Sequence, residues 1–190
     1  MAKLDHWRNP RATIANYYEN NDYGYVFHAV SLFKSFLTIS GITLEDLKSK
    51  KILDYGCGTG RVTRVFAMFC QTAVGYDPVK ECIDEAFKED EKIGKSISAR
   101  PKIFTTDISE LSNDYDIIVS INVFEHLDFD DSQQALNNIA CCLRDQGECF
   151  LWLHSMRNRK FLDENNIPLS KTPIGVFGIK GTKQQGRIIF

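Results

Sequence analysis

Three glycines at alternate positions, Gly56, Gly58 and Gly60, follow the apolar run Ile52-Leu53-Asp54-Tyr55. At a strand-to-helix turn, glycine permits positive φ and lets a ligand approach the backbone. The helix that follows offers N–H groups without intrahelical partners. Such a turn receives a polar group: a phosphate, a carboxylate or part of a larger cofactor. Asp54, two residues before the first glycine, separates these choices, because it would repel a pyrophosphate and suits an ammonium or a sulfonium. The spacing agrees. Arg61 stands where the dinucleotide pattern G-x-G-x-x-G needs its third glycine, and no G-x-x-x-x-G-K-[ST] string exists. Asp54 could equally orient the loop by hydrogen bonds without touching a ligand.

Other polar residues punctuate the ends of later apolar runs. Asp77 lies 19 residues past Gly58 and precedes Pro78, so it reads either as a ligand-binding acid or as a helix N-cap with proline in the first turn. Asp107-Ile108 follows Thr106, where the acid could instead cap a turn over 109–111. Asn122 and the pair Glu125-His126 follow Tyr115–Ile121. His126 titrates near neutral pH and is a candidate general base, with capping or packing as its alternative. His28 and His154 are weaker candidates, and Tyr17, Tyr18, Tyr23 and Tyr25 read as aromatic packing or as a lid.

The elements that must carry these residues alternate. Residues 26–39 have helical spacing, and a short helix over 43–48 carries Thr43 as cap with Asp46 three residues on. Strands are expected at Lys51–Tyr55, Thr72–Tyr76, Lys102–Thr106, Tyr115–Ile121 and Glu148–Leu153. Between them, Val62, Val65, Phe66 and Phe69 share one helix face, and Val79, Cys82, Ile83, Ala86 and Phe87 share another. Residues 88–101 read as a charged connection, and 108–114 has room for a single turn. Asp131 is expected to cap a helix bearing Ala135, Leu136, Ile139, Ala140 and Leu143. Strands alternating with amphipathic helices predict an α/β fold, a doubly wound and mostly parallel sheet. Strands without polar alternation predict helices on both faces. Three regions follow: an N-terminal helical extension over 1–49, a core over 50–153, and a C-terminal segment over 154–190. In the last, 157–165 reads as helix, and 174–179 with 187–190 as an abbreviated β-hairpin around a 181–186 loop.

The chain has 190 residues, 43% of them hydrophobic and 25% charged, an ordinary globular balance. Its net charge of −2 argues against a wholly basic nucleic-acid binder. The sum hides an asymmetry, −7 over 1–153 against +5 over 154–190, which reads as solvated surface or as a contact with an acidic partner. No stretch approaches a membrane span and the N-terminus lacks an apolar signal core. The six cysteines form no Cys-x-x-Cys pair and no Cys/His spacing for zinc, so no metal is expected. Buried free thiols in the cytoplasm are the expected state.

The string Asp54-Tyr55-Gly56-Cys57-Gly58-Thr59-Gly60 closely resembles motif I of the class I S-adenosylmethionine-dependent methyltransferases. The likeness continues in order through Gly75-Tyr76-Asp77, Thr106-Asp107-Ile108, Ser120–Leu127 and Leu143–Glu148, covering about 50–153. It implies a Rossmann-like core that binds S-adenosyl-L-methionine and releases S-adenosyl-L-homocysteine. It also implies cofactor-binding roles for Asp54, Gly56, Cys57, Gly58, Gly60, Asp77, Pro78, Asp107, Ile108 and Asn122. Asp77 would take the ribose hydroxyls. Asp107 would take the adenine amino group, and the Ile108 N–H the ring. The string Asn122-Val123-Phe124-Glu125 lacks the prolines of amine-directed DNA and glutamine enzymes, and no proline precedes a cysteine. What the resemblance leaves is O- or N-methylation of a small-molecule acceptor, with nucleic acid not expected. The alternatives are a non-catalytic cofactor-binding module, or an RNA-directed enzyme using the basic C-terminal segment. Only 37 residues follow the fifth strand, so the closing elements are expected to be abbreviated or truncated.

Overall fold

The computed structural model describes residues 8–10, 22–93, 102–153, 170–171 and 177–189. Helix α1 (Asp22–Ser40) and the single-turn α2 (Leu44–Leu47) precede the sheet. Then β1 (Lys51–Tyr55), α3 (Arg61–Ala67), β2 (Thr72–Tyr76), α4 (Lys80–Ile93) and β3 (Lys102–Thr105) alternate. A 3₁₀ turn (Ile108–Glu110) leads to β4 (Tyr115–Ile121). A second (Phe124–His126) leads to α5 (Phe129–Cys142) and β5 (Leu143–Leu153). The chain closes with β6 (Ser170–Lys171), β7 (Phe177–Gln184) and β8 (Arg187–Ile189).

The strands form one sheet in the order β3-β2-β1-β4-β5-β7-β6, with β8 also on β7. The first five pair in parallel, and β7 runs antiparallel to β5, β6 and β8. The chain winds one way from β1 to β3 and the other way from β4 to β5. The turn after β1 therefore lies at the switch between the two halves, where open α/β sheets bind ligands.

Successive residues of one strand feed opposite faces. In β1, Ile52 joins Val62 and Phe66 of α3, Phe33 and Phe36 of α1, and Ile117 and Phe150 of the sheet. Its neighbour Leu53 joins Val74, Ile118 and Leu151 under Ala135 and Ile139 of α5. Both faces are therefore dry, as the unalternating strands require. Phe36 is fully buried and centres the first layer. Its ring lies 5.1 Å, edge-on, from both Phe66 and Phe150. The 3₁₀ turn at 108–110 matches the short crossover expected there.

Several boundaries differ from the sequence reading. The charged run after Phe87 is helical to Ile93, because Lys, Glu and Asp on a solvated face keep the backbone in α4. Asp128, not Asp131, caps α5. Its carboxylate accepts the Asp131 N–H at 2.9 Å, and Asp131 sits in the first turn, where the helix dipole favours acids. Leu143 leaves that helix with extended backbone and opens β5. Its register against β4 jumps after Leu143↔Tyr115, through Gln146 at φ 61°, to Glu148↔Ile117. The C-terminal hairpin is longer than expected. Pairing with β5 carries β7 through Gly181 to Thr182 and pairing with β8 carries it on to Gln184, and the turn is only Gln185-Gly186, both at positive φ as a tight hairpin requires. The expected helix at 157–165, His154, Tyr17 and Tyr18 lie outside the described residues. The Thr43/Asp46 capping box is present as read.

Removing the Phe36 ring leaves a cavity between α1, α3 and β5. Phe36→Ala is expected to cost about 3–5 kcal/mol in urea unfolding. Phe27→Ala on the same helix, where the side chain is 74% exposed, is expected to change stability by less than about 0.5 kcal/mol.

Candidate functional site

The carboxyl ends of β1, β2, β3 and β4 meet at the switch point, and the glycine turn fills the space between them. Gly56 and Cys57 both donate their N–H groups to the Tyr76 carbonyl, at 2.7 and 2.9 Å, which fastens the turn to the end of β2. Gly56 and Gly60 have φ of 78° and 75° and are also sterically committed. A Cβ on Gly56 would lie 2.3 Å from Val123, and one on Gly60 would lie 2.3 Å from the Phe104 ring. Between them, no atom lies within 4 Å of the place a Cβ on Gly58 would take. The middle of the loop therefore faces open space, while its two ends are pinned by β3 and by the segment after β4.

Two buried carboxyls stand beside this loop, one bonded to it and one to the helix that follows it. Asp77, at the end of β2, accepts the Gly58 N–H through Oδ2 and the Val79 N–H through Oδ1, both at 2.9 Å. It thus fixes the glycine loop and the entry to α4 together. Asp54, at the end of β1, accepts the Thr63 hydroxyl at 2.7 Å. Burial pushes both carboxyls up from 3.8 to about 6, against the opposing pull of those hydrogen bonds. The negative charge of Asp77 raises Asp54 further. Burial also pushes the Cys57 thiol well above its usual range, so it is packing rather than a nucleophile.

The remaining residues of the set line the same edge. Asp107 is exposed and caps the 108–110 turn, accepting the Ser109 hydroxyl at 2.7 Å and its N–H at 2.8 Å, which hold it below the usual carboxylate range. Pro78, after β2, is exposed, and Ile108 is 38% exposed. Asn122 ends β4 at φ 58° with its N–H on the Trp152 carbonyl, and its buried Oδ1 has no hydrogen-bond partner. Asparagine is among the side chains that tolerate this left-handed conformation. His126 is mostly buried in the 124–126 turn, with Nε2 3.7 Å from Glu125 Oε1. His28 sits on α1. Among the described residues, no cluster of His, Cys, Asp or Glu could hold a metal ion, and no helix is long and apolar enough to cross a membrane.

Sequence reasoning named Asp54, Asp77, Asp107 and the glycines, and the fold brings them to one edge. It missed Thr63, Phe104 and Val123, which hold Asp54 and the glycine loop. Thr63 carried a faint signal, a hydroxyl in the first turn of the helix that follows the loop. Phe104 and Val123 carried none beyond being apolar near a strand end.

A family model described as "Methyltransferase domain" matches residues 24–165. A ubiquinone biosynthesis O-methyltransferase of Coxiella burnetii is 30% identical over 118 residues, 60% of this chain and 47% of that protein. One from Bartonella tribocorum is 33% identical over 113 residues, 58% and 43%. The chain thus spans about half the length of these curated relatives. Among solved structures, magnesium protoporphyrin IX methyltransferase from Synechocystis, with S-adenosylmethionine bound, superposes with a TM-score of 0.60 at 16% identity, over 84% of this chain and 79% of that one. A TehB-like methyltransferase from Corynebacterium glutamicum gives 0.59 at 21% identity, over 95% and 99%. At these identities the structures establish the shared fold.

A carboxyl raised on folding stabilises the protein fully below its unfolded pKa, and that contribution is lost as pH rises through the folded value. For Asp54 the window runs from 3.8 to about 6. Asp54→Asn keeps an acceptor for Thr63 and abolishes the titration. Its stability relative to the parent should therefore climb from pH 4 to pH 7, by on the order of 2 kcal/mol. Thermal melts across that range check this, and a pH-independent difference would contradict the burial argument.

Proposed function

The chain belongs to the methyltransferase-domain family, whose methyl donor is S-adenosylmethionine, and from that membership we propose that it methylates an oxygen or nitrogen atom of a small-molecule acceptor. The observation that carries the reading is the pair of buried carboxyls, Asp54 and Asp77, beside an open glycine loop at the sheet's switch point. Two such acids disfavour the phosphates of a dinucleotide and favour a ligand with ammonium and sulfonium charge. The orphaned Asn122 amide oxygen and the free space above Gly58 fit a polar ligand at that edge.

In this reading the backbone of Gly56, Cys57, Gly58 and Gly60 lies against the donor, and Asp54 compensates its positive charge. Asp77 receives the ribose hydroxyls, with Pro78 beside it. Asp107 and the Ile108 N–H receive the adenine, and Asn122 offers its free oxygen. The bound donor supplies a methyl group already activated on a positively charged sulfur. The chain's task is therefore to orient the acceptor and exclude water rather than to generate an electrophile. A base is needed only where the acceptor must lose a proton. In this reading His126, beside Glu125 in the turn that follows β4, takes one from a hydroxyl. The O-methyltransferase relatives favour a hydroxylated acceptor.

Titration calorimetry with S-adenosylmethionine and S-adenosylhomocysteine tests the reading, and no heat at millimolar ligand would overturn it. A cationic ligand selects ionised carboxyls, so affinity should fall as pH drops through about 6, by about tenfold between pH 7 and pH 5 for each carboxyl engaged. Asp77→Ala should weaken binding by at least about tenfold. With a hydroxylated acceptor, His126→Ala should lower kcat by about 100-fold or more while donor affinity holds. An unchanged kcat would remove the histidine from the chemistry.

A further inference from the structure

Arg64 is a residue that neither the sequence motifs nor the donor-binding set includes. Its guanidinium, on the second turn of α3, spreads over three elements. Nη1 donates to the Thr59 carbonyl inside the glycine loop at 2.7 Å, and Nη2 donates to the Ala86 carbonyl of α4 at 2.6 Å. Nε donates to the Asp90 carboxylate at 2.6 Å, and the group lies over the Phe104 ring, 5.5 Å from its centre. The Arg64 side chain is only 12% exposed and Asp90 22%, so solvent screens the pair weakly.

We propose that Arg64 is a positioning residue for donor binding: its planar fork sets the conformation of the glycine loop from the α4 side, opposite the hold of Asp77 on Gly58. The inference rests on the donor reading above. The loop needs such a second hold. Between Gly56 and Gly60 the backbone is kept in left-handed conformations with open space above Gly58. Asp77 fixes one amide there, and the Thr59 carbonyl next to it is fixed by Arg64. The same guanidinium presses on Phe104, whose ring is the wall against Gly60 and Gly75. One side chain therefore sets both the height of the loop and the ring beneath it. A lysine cannot reproduce this, because a point charge reaches one of the three acceptors at a time.

The alternative is an ion pair that only staples α3 to α4. Three variants of the full chain separate the two: Arg64→Lys, Arg64→Gln and Asp116→Asn. Asp116 is a control at the opposite, amino ends of the strands, where it accepts the Lys51 N–H at 2.7 Å and pairs with Arg144 at 2.9 Å. Each is measured by thermal melting, by calorimetry with S-adenosylhomocysteine, and by hydrogen exchange of the 56–61 amides without ligand. The expected result is a Kd raised at least about tenfold in both Arg64 variants, with faster exchange at 56–61. Asp116→Asn, at a comparable loss of melting temperature, should keep its Kd within about twofold and its loop exchange unchanged. Affinity that tracks melting temperature across all three variants, or Arg64 variants with unaltered loop exchange, would overturn the proposal. If the parent protein binds no S-adenosylhomocysteine, the donor reading fails by itself, and the exchange data alone decide whether Arg64 governs the loop.

Discussion

The carboxylate of Asp77 accepts two backbone N–H groups from two different strand-to-helix turns, and the upper edge of the sheet is organised around that double hold. Through Gly58 it fixes the loop after β1, and through Val79 it fixes the chain's entry to α4. Burial makes the ionised form costly, and the two amides offset part of that cost. The glycines at 56 and 60 follow from the same constraint. A loop drawn down onto Asp77 passes so close to Val123 and Phe104 that no side chain fits at either end. Asp77 was expected to be either a helix cap or a ligand-binding acid. The helix begins only at Lys80, so Asp77 is not its N-cap: it closes a turn onto the Val79 N–H just ahead of α4, and under the proposed donor binding the same carboxylate also meets the ligand.

What the sequence conveyed well was local. The Thr43/Asp46 capping box is set by two residues three apart, and it formed as read. The five parallel strands were visible because each is an apolar run bounded by turn residues, and both faces of the sheet are covered. The start of α5 was misread because Asp128, Asp130 and Asp131 all satisfy a cap pattern. The choice falls to Asp128 because the 3₁₀ turn at 124–126 delivers that residue in extended backbone. The end of α4 differs from the sequence reading because Lys88–Lys92 are all charged, and their period is invisible to an apolar pattern.

The site was legible wherever one residue type at one spacing carried the meaning, as with the glycines, Asp54 and Asp77. It was illegible where contact is made by residues distant in sequence. Thr63 meets Asp54 across the loop. Phe104 reaches Gly60 from two strands away, and Arg64 finds Asp90 only once α3 and α4 lie side by side. The contacts of Phe104 and Arg64 have no pattern that can be read along the chain, because they are created by the winding order β1, β2, β3.

The antiparallel strand β7 has a consequence of a different kind. Strand β5 contains Cys149, Phe150, Leu151 and Trp152, all buried, and without β7 it would be an outer strand with an unpaired apolar backbone. Such an edge recruits strands from other chains. The strand that covers it holds Lys180 between Gly178 and Gly181 and runs on through Lys183 and Gln184 onto β8, a composition poor at self-association. During synthesis and refolding, then, this edge is an aggregation hazard in the interval before residues 177–182 pair with β5. Colloidal behaviour is governed by a strand remote in sequence from the glycine loop.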